Sequence, residues 1–299
     1  MKKKYIFSFA CLIFFIGCND DEIFEKEMHK NEIALISSTN HNIFQEVIHL
    51  TGESEISAYI AASTGGTHAP DRDLVIGLEE DDQPLAAYNW SQFDADERLY
   101  AKLLPKDKYE ILDYQITIPA GERTGRTLIN IRPEGLSPDS SYFVGLRATN
   151  ISDADLNPKK TTLLYQVLIK NDYASQSENS LYTMTGSING SATAANKQLF
   201  PLSYNRTRMI AGNETFQSTE ESIAKSSIVL EVDENDNVSI KPYKDIQVRQ
   251  LDGDPDFPNV FRVEEAYGRS INVFLLSYEY KIGDVTNVMK ERVEMQITQ

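Results

Sequence analysis

Cysteine is almost absent from this sequence. Of its 299 residues only Cys11 and Cys18 are cysteines, and both lie near the N-terminus. The rest of the chain therefore has no cysteine for a disulfide, a thiolate zinc site or a cysteine nucleophile. The four histidines end at His68 and lack the His-x-x-x-His spacing that puts two ligands on one helix face. We expect no metal and no cofactor.

Basic residues are also scarce, with 29 Lys and Arg against 45 Asp and Glu and a net charge of -16. Binding to nucleic acid needs clustered Lys and Arg, and no basic run occurs beyond Lys2–Lys4. The chain also lacks a Gly-x-Ser-x-Gly elbow and the glycine patterns of nucleotide-binding loops. Counting so many carboxylates cannot identify a glycosidase pair. We therefore predict a protein that is not an enzyme and binds no nucleic acid.

The N-terminus has the features of a secretory signal. Lys2–Lys4 precede the apolar run Tyr5–Ile16, which is shorter than the roughly 20 apolar residues needed to span a bilayer. The end of this run resembles a bacterial lipobox that closes on Gly17 and Cys18, with Phe15 where leucine is usual. Cys18 is then the lipidation site, and acyl chains on it anchor the protein to the outer membrane. A plain signal peptide cut near Gly17 is the alternative.

The residues after Cys18 are acidic and poor in apolar side chains. Asn19–Glu22 open a mixed-charge stretch that extends to Asn31 and cannot bury enough surface to fold. A cysteine followed directly by acidic residues resembles the surface-export signal of Bacteroidota lipoproteins. This resemblance implies that the protein faces the extracellular side.

From residue 32 onward, apolar and polar residues alternate in short runs separated by Gly, Pro, Asn and Asp, which indicates an all-β fold of antiparallel strands. Leu85–Trp90 is one of the predicted strands, and Arg98–Leu104 is the one stretch with helical spacing. The segment from Pro138 to Tyr142 resembles the tyrosine corner of immunoglobulin-like sandwiches, in which the phenol bonds back to the turn. An ordinary hairpin with Tyr142 in the core is the alternative.

A polar stretch divides the folded part into two predicted β-domains. The second contains eight predicted strands with hairpin spacing, which suits an antiparallel barrel, including one of lipocalin type, or a sandwich. The predicted organisation is a lipoprotein signal peptide (1–17), an acidic flexible leash (18–31), an immunoglobulin-like sandwich (32–172), a linker (173–180) and the barrel or sandwich (181–299).

Trp90 is the single tryptophan, and on an extended strand it shares a face with Tyr88. Sugar rings stack their C–H faces on such aromatics, so Trp90 and Tyr88 are candidate glycan-binding residues. Immunoglobulin-like sandwiches also bury one tryptophan in the core, which is the competing interpretation.

Two acidic loops, 233–237 and 252–256, have spacings that partly fit a calcium loop. Val238 stands where the turn glycine would be, and neither loop has the closing glutamate. We interpret both as hairpin loops rather than calcium sites.

Several segments together resemble a family of two-domain Bacteroidota surface lipoproteins, in which an immunoglobulin-like domain of unknown function precedes a C-terminal β-domain. The resemblance lies in the lipobox, in Tyr88 and Asn89, in Tyr100 to Tyr109, in Ile118–Gly121 before the Arg126 strand, in Met184–Gly186 and in Pro201–Ser203. It implies a glycan-capture or adhesin-like role beside polysaccharide-uptake machinery, with no catalytic residue to assign.

The sequence therefore predicts a non-enzymatic surface lipoprotein that binds an extracellular polysaccharide or oligosaccharide. A structural or adhesin-like protein that docks to another surface protein is the alternative function.

Overall fold

The computed structural model describes residues 32–150, 152, 154–177, 180–215, 217–266 and 268–297. The fold is all-β, as predicted, and has two domains. The strands β1–β11 form one pair of sheets and β12–β21 form another. The strands are β1 (Glu32–Leu35), β2 (Ile43–His49), β3 (Ile56–Thr64), β4 (Leu74–Glu80), β5 (Lys102–Leu103), β6 (Tyr109–Ile111), β7 (Gln115–Ile118), β8 (Thr124–Ile131), β9 (Tyr142–Asn150), β10 (Asp155–Leu156), β11 (Thr162–Lys170), β12 (Leu181–Ile188), β13 (Ser191–Gln198), β14 (Phe200–Ser203), β15 (Arg206–Ile210), β16 (Ser227–Val232), β17 (Val238–Pro242), β18 (Gln247–Gln250), β19 (Val260–Ala266), β20 (Arg269–Ile282) and β21 (Val285–Gln296).

The first domain is a sandwich of two sheets. One sheet has the strand order β10-β1-β3-β8-β6, and the other has the order β2-β11-β9-β4-β7 with β5 beside β9. Alternation along the strands turns one side chain in two inward, so Ile60, Ile129 and Leu146 meet in a single core. The outer faces of these sheets are free to carry function unless another element covers them.

Helix α1 (Gln83–Phe93) covers part of the outer face of the second sheet. Leu85 of the helix packs with Phe143 of β9 and Leu164 of β11 in a small cluster. This cover explains why β11 is buried on both faces and reads as a continuous apolar run.

The second domain consists of a sheet in the order β13-β12-β21-β20-β18, with β19 beside β20, and a four-stranded sheet in the order β14-β15-β16-β17. Phe274, Tyr278 and Val293 of the first sheet meet Met209 and Leu230 of the second in a common core. Helix α2 (Glu220–Ser226) lies between β15 and β16 and begins at Thr219, whose hydroxyl accepts from the Ser222 amide.

The structure corrects two predicted elements. The predicted strand Leu85–Trp90 is part of α1, because Pro84 favours the first turn of a helix and Leu85 and Asn89, four residues apart, face the protein. The helical spacing of Arg98–Leu104 corresponds to one short 3-10 turn (Glu97–Leu99) followed by β5. The sequence also failed to indicate β13, β14 and α2.

The two domains meet through an ion pair between a fully buried Arg208 side chain and a partly exposed Asp139 side chain. The two terminal nitrogens of the Arg208 guanidinium, Nη1 and Nη2, each donate to a carboxylate oxygen of Asp139 at 2.6 Å, and the guanidinium lies 4.4 Å from the Phe200 ring centroid. Asp139 belongs to the predicted tyrosine corner, where the Ser137 amide donates a long hydrogen bond of 3.5 Å to the Tyr142 hydroxyl. The turn before β9 therefore also holds the second domain.

Candidate functional site

Trp90 lies on the outer side of α1 and is 62% exposed. Within the described residues, its ring stacks on no other ring or cation and its indole N–H has no hydrogen-bond partner. The competing interpretation of Trp90 as a core residue is therefore wrong. An exposed tryptophan without a partner is unusual because its large apolar ring is left in water.

Small neighbours keep the indole uncovered. A helical side chain points back over the preceding turn, so Trp90 projects over the positions three and four residues earlier. These are Ala87 and Ala86, which are both exposed and carry only a methyl group. The ring therefore has an open face that a planar ligand can reach.

Polar side chains meet farther around α1, since Ser91 and Gln92 follow Trp90 at about 100° and 200° around the helix. The His41 Nε2 lies 3.4 Å from the Ser91 hydroxyl and 3.3 Å from the Gln92 side-chain nitrogen. Because the Gln92 amide nitrogen can only donate, His41 Nε2 is the acceptor in that contact. His41 adopts a φ of 53° in the turn between β1 and β2, which brings its ring to the helix. We call the open Trp90 ring, with the exposed Ala86 and Ala87 before it, the Trp90 surface; Ser91, Gln92 and His41 form a polar group farther around the helix.

Tyr88 does not share a face with Trp90. Side chains two residues apart on a helix point about 200° apart, whereas on the predicted strand they would be parallel. The Tyr88 ring is half-buried and contacts Phe143 at 5.4 Å and His41 at 5.3 Å between centroids. The predicted Tyr88–Trp90 pair is thus corrected: Tyr88 lies behind His41, and Trp90 alone offers an open ring.

A second surface, which we call the Tyr59 row, was not found from the sequence. Tyr59 of β3 pairs directly with Leu128 of β8, and the Leu112 amide bonds the Leu128 carbonyl. These three side chains run across the outer face of the five-stranded sheet and are 43%, 37% and 52% exposed. Arg126 lies over the Tyr59 ring at 4.3 Å. The sequence did carry a signal for this surface, because an apolar residue stands at each of these outward-facing strand positions.

Charged groups are also buried inside the second domain. Lys197 Nζ lies 2.8 Å from Glu291 Oε2, and both side chains are almost fully buried. The Tyr278 hydroxyl donates to Glu291 Oε1 at 2.6 Å. Burial lowers the pKa of Lys197 and raises that of Tyr278. A cavity of about 40 Å³ adjoins Lys197, which is room for water but not for a sugar ring.

The two acidic loops are turns between strands. Asp233 accepts from the Asn235 and Asn237 amides at 2.8 and 2.9 Å in the β16–β17 hairpin, and Asp254 pairs with Lys290. Among the residues that the structure describes, no group of three or more His, Cys, Asp or Glu side chains could hold a metal ion. Within the same residues, no helix combines the length and the apolar character that crossing a membrane requires. The predicted lipidation site Cys18 lies outside the described residues.

Comparison with known proteins supports the two-part organisation. A family model of an N-terminal domain matches residues 28–155, and a model of a C-terminal domain matches residues 161–295. No curated protein matches the chain.

Several solved structures from Bacteroides share the fold. A protein of unknown function from Bacteroides ovatus is 14% identical with a TM-score of 0.63, and the match covers 92% of this chain and 93% of that one. A Bacteroides ovatus multidomain protein including DUF1735 is 15% identical with a TM-score of 0.60, over 89% and 94%. An auxiliary nutrient binding protein from Bacteroides thetaiotaomicron is 11% identical with a TM-score of 0.62, over 87% and 94%. The chain is thus an all-β protein of the two-domain type found in Bacteroides, with an N-terminal and a C-terminal domain that each match their own family model.

Proposed function

We propose that this protein binds an extracellular glycan through the Trp90 surface and performs no catalysis. The observation that carries the proposal is the open indole of Trp90, which is 62% exposed and projects over the small side chains of Ala86 and Ala87. A pyranose ring presents apolar C–H groups on its faces and hydroxyls at its edge. The Trp90 ring offers an apolar plate for the first, and the exposed Ser91 hydroxyl, about 100° farther around the helix, offers a hydrogen-bonding group for the second.

The shape of the site bears on the kind of ligand. Trp90 stands on the exposed side of a helix rather than at the bottom of a cleft, so a chain of sugars can pass over it from either direction. We therefore propose an internal segment of a polysaccharide as the ligand. A single stacked ring gives weak binding, because most of the ligand stays in water.

The cellular setting belongs to the same proposal. The lipobox-like segment, Cys18 and the acidic residues after it support a lipid anchor in the outer membrane, with the protein on the extracellular side. The similar nutrient binding protein from Bacteroides thetaiotaomicron supports a role in nutrient capture. Mass spectrometry of the natural product should find acylated Cys18 as its first residue, and an unmodified amino terminus would contradict the anchor.

Affinity electrophoresis in gels containing single polysaccharides tests the binding site. We expect the purified two-domain protein to be retarded by at least one polysaccharide and Trp90→Ala to lose that retardation. Val285→Ala is the matched control, because Val285 is 60% exposed in the other domain. Both variants should keep the parent melting temperature, since exposed side chains contribute little to stability.

Two results would contradict the proposal. Retardation of Trp90→Ala equal to that of the parent would exclude the Trp90 surface as the site. Release of reducing sugar from the bound polysaccharide would instead show that the protein is an enzyme.

Docking to another surface protein is a second candidate function, and the Tyr59 row favours it. Leu128 and Leu112 are branched aliphatic groups, which pack against protein side chains better than against sugar rings, and the Arg126 guanidinium already covers the Tyr59 ring. A photo-crosslinker placed at Leu128 on intact cells should give one protein adduct that Tyr59→Asp abolishes. If the adduct persists in Tyr59→Asp, or if it also forms with the crosslinker placed at Val285, the Tyr59 row is not the docking site.

A further inference from the structure

Strand β13 forms an open edge of the large sheet in the second domain. It is eight residues long and pairs with β12 on one side only. The two strands are joined by the two-residue turn Asn189–Gly190, whose φ values of 51° and 82° are those of a tight hairpin. The register of β13 is therefore fixed by its neighbour.

This register determines which backbone groups of β13 point away from the sheet. Ile188 faces Ser191 across the turn, and the Leu199 amide donates to the Ser180 carbonyl at the other end. Backbone groups alternate in direction along a strand, so the odd-numbered residues bond β12 and the even-numbered ones point outward. Among the described residues, nothing bonds these outward amides and carbonyls. The outward residues are Ala192, Ala194, Asn196 and Gln198.

The outward positions of β13 lack the usual protection against strand pairing, and the one charged residue of the strand, Lys197, points inward to Glu291. Edge strands are commonly short, charged or interrupted by proline. Other edges of this protein follow the rule: β10 has two residues, β17 ends at Pro242 and β2 carries Glu46. The outward residues of β13 are two alanines, an asparagine and a glutamine.

The neighbouring segment 210–214 does not cover this edge. Its contacts with β13 are made by odd-numbered residues of the strand, whose side chains point inward. The Lys197 ammonium donates to the Ile210 carbonyl at 2.9 Å, and the Asn213 side-chain amide donates to the Thr193 hydroxyl at 3.3 Å. The outward side chains of Ala192, Ala194 and Asn196 are exposed. The edge is thus accessible in the plane of the sheet.

We propose that β13 pairs antiparallel with β13 of a second copy of this chain. The four outward residues are evenly spaced about Ala195, so a two-fold axis at Ala195 sets Ala194 opposite Asn196 and Ala192 opposite Gln198 of the other copy. Each facing pair exchanges two hydrogen bonds, which satisfies every outward group of both strands. The side chains that meet are small or uncharged, so the β13 strands of the two copies do not repel each other.

The dimer is weak and dependent on salt. One strand pair buries much less than the roughly 1,600 Å² of a standard interface, so association requires a high protein concentration. Each copy carries a net charge of -16, which opposes association at long range. Salt screens this repulsion, and we expect it to strengthen the dimer.

Sedimentation equilibrium of the purified two-domain protein, over a concentration series at low and high salt, tests the proposal. Ala194→Pro removes an outward N–H and leaves the β12–β13 hydrogen bonds in place. Ala194→Thr is the matched control because it keeps the amide. We expect the parent and Ala194→Thr to dimerise, and Ala194→Pro to raise the dissociation constant about 5-fold to 150-fold, as the loss of two hydrogen bonds per dimer requires.

Three outcomes overturn the proposal: a parent that stays monomeric at every concentration, an Ala194→Pro protein that dimerises as tightly as Ala194→Thr, or a dimer that salt dissociates. Should Ala194→Pro lose its cooperative unfolding transition, Asn196→Pro against Asn196→Thr makes the same comparison at the other central outward amide. Trp90→Ala should leave the dimer unchanged, so failure here is distinct from failure of the glycan site.

Discussion

The buried Lys197–Glu291 pair allows a quantitative test of the second domain's core. Lys197 Nζ forms an ion pair with Glu291 at 2.8 Å and donates a hydrogen bond to the Ile210 carbonyl at 2.9 Å. The Tyr278 hydroxyl donates to Glu291 and accepts from the Gly212 amide at 2.7 Å. The two charges therefore belong to a connected polar network between the sheets, and removing one charge leaves the other buried without compensation.

The expected costs follow from this arrangement. Lys197→Met leaves a buried carboxylate without its cation, which costs about 3 to 5 kcal/mol. In calorimetry this corresponds to a melting temperature lower by about 6 to 20 °C. Glu291→Leu leaves the buried Lys197 ammonium without its carboxylate, which costs a similar free energy of unfolding. The double variant removes both charges, so we expect it to cost about 3 kcal/mol less than the sum of the single variants.

The control is an exposed ion pair of the same residue types. Lys225 and Glu221 lie at i,i+4 on α2 with both side chains largely in water. Lys225→Met should therefore leave the melting temperature within measurement error. The reasoning fails if Lys197→Met has the same melting temperature as Lys225→Met. It also fails if the cost of the double variant equals the sum of the costs of Lys197→Met and Glu291→Leu.

The buried Lys197 should also make the stability of the folded protein depend on pH. Burial lowers its pKa in the folded state from the ordinary value of 10.5. Between the lowered pKa and 10.5 the unfolded chain binds a proton that the folded chain does not, so stability rises with pH in that window. Urea unfolding at several pH values below 10 should show that this rise is missing in Lys197→Met.

Three further predictions concern other parts of the fold. Burial raises the pKa of Tyr109 and of Tyr173 from 10.0 to about 12, so stability should fall as pH increases from 10 to 12, and tyrosinate absorbance should appear together with unfolding. Arg208→Ala leaves Asp139 without its bidentate partner, so proteolysis between the domains should be faster than in the parent, whereas equal rates would show that other contacts hold the junction. Gly145→Ala places a Cβ 2.1 Å from the carbonyl oxygen of Asp81, and calorimetry should find a strongly destabilised first domain.

The strand pattern was largely predictable because burial of one face imposes period-two alternation. The run Val293, Met295 and Ile297 illustrates the rule, since Val293 points into the core while Glu294 does not. Strand β13 was missed because its side chains are small or polar, so no apolar alternation marks it. Its existence depends on the Asn189–Gly190 turn, which is the signal that could have revealed it.

The helix α1 was mistaken for a strand because the aromatic Tyr88 and Trp90 alternate with the polar Asn89 and Ser91 over a short window. The better signal was Pro84 in the first helical turn, with Leu85 and Asn89 one turn apart. Asn89 is buried because its amide bonds both backbone groups of Ala101 at 2.9 Å. No local pattern could reveal this contact or the exposure of Trp90, because both depend on how α1 lies on the sheet.

The two proposed surfaces lie in different domains, and the junction between the domains relates them. The Arg208–Asp139 pair bonds the turn before β9 to β15, and Asn171 donates from the first domain to the Ser203 and Arg206 carbonyls of the second. A dimer formed through β13 would therefore hold two Trp90 surfaces at a fixed separation. Two weak sites that engage one polysaccharide act at a high effective concentration, so the avidity of the dimer would exceed the affinity of one site. It follows that Ala194→Pro should weaken retention on a long polysaccharide while leaving binding of a short oligosaccharide unchanged. Equal losses for both ligands would show that the two surfaces do not cooperate.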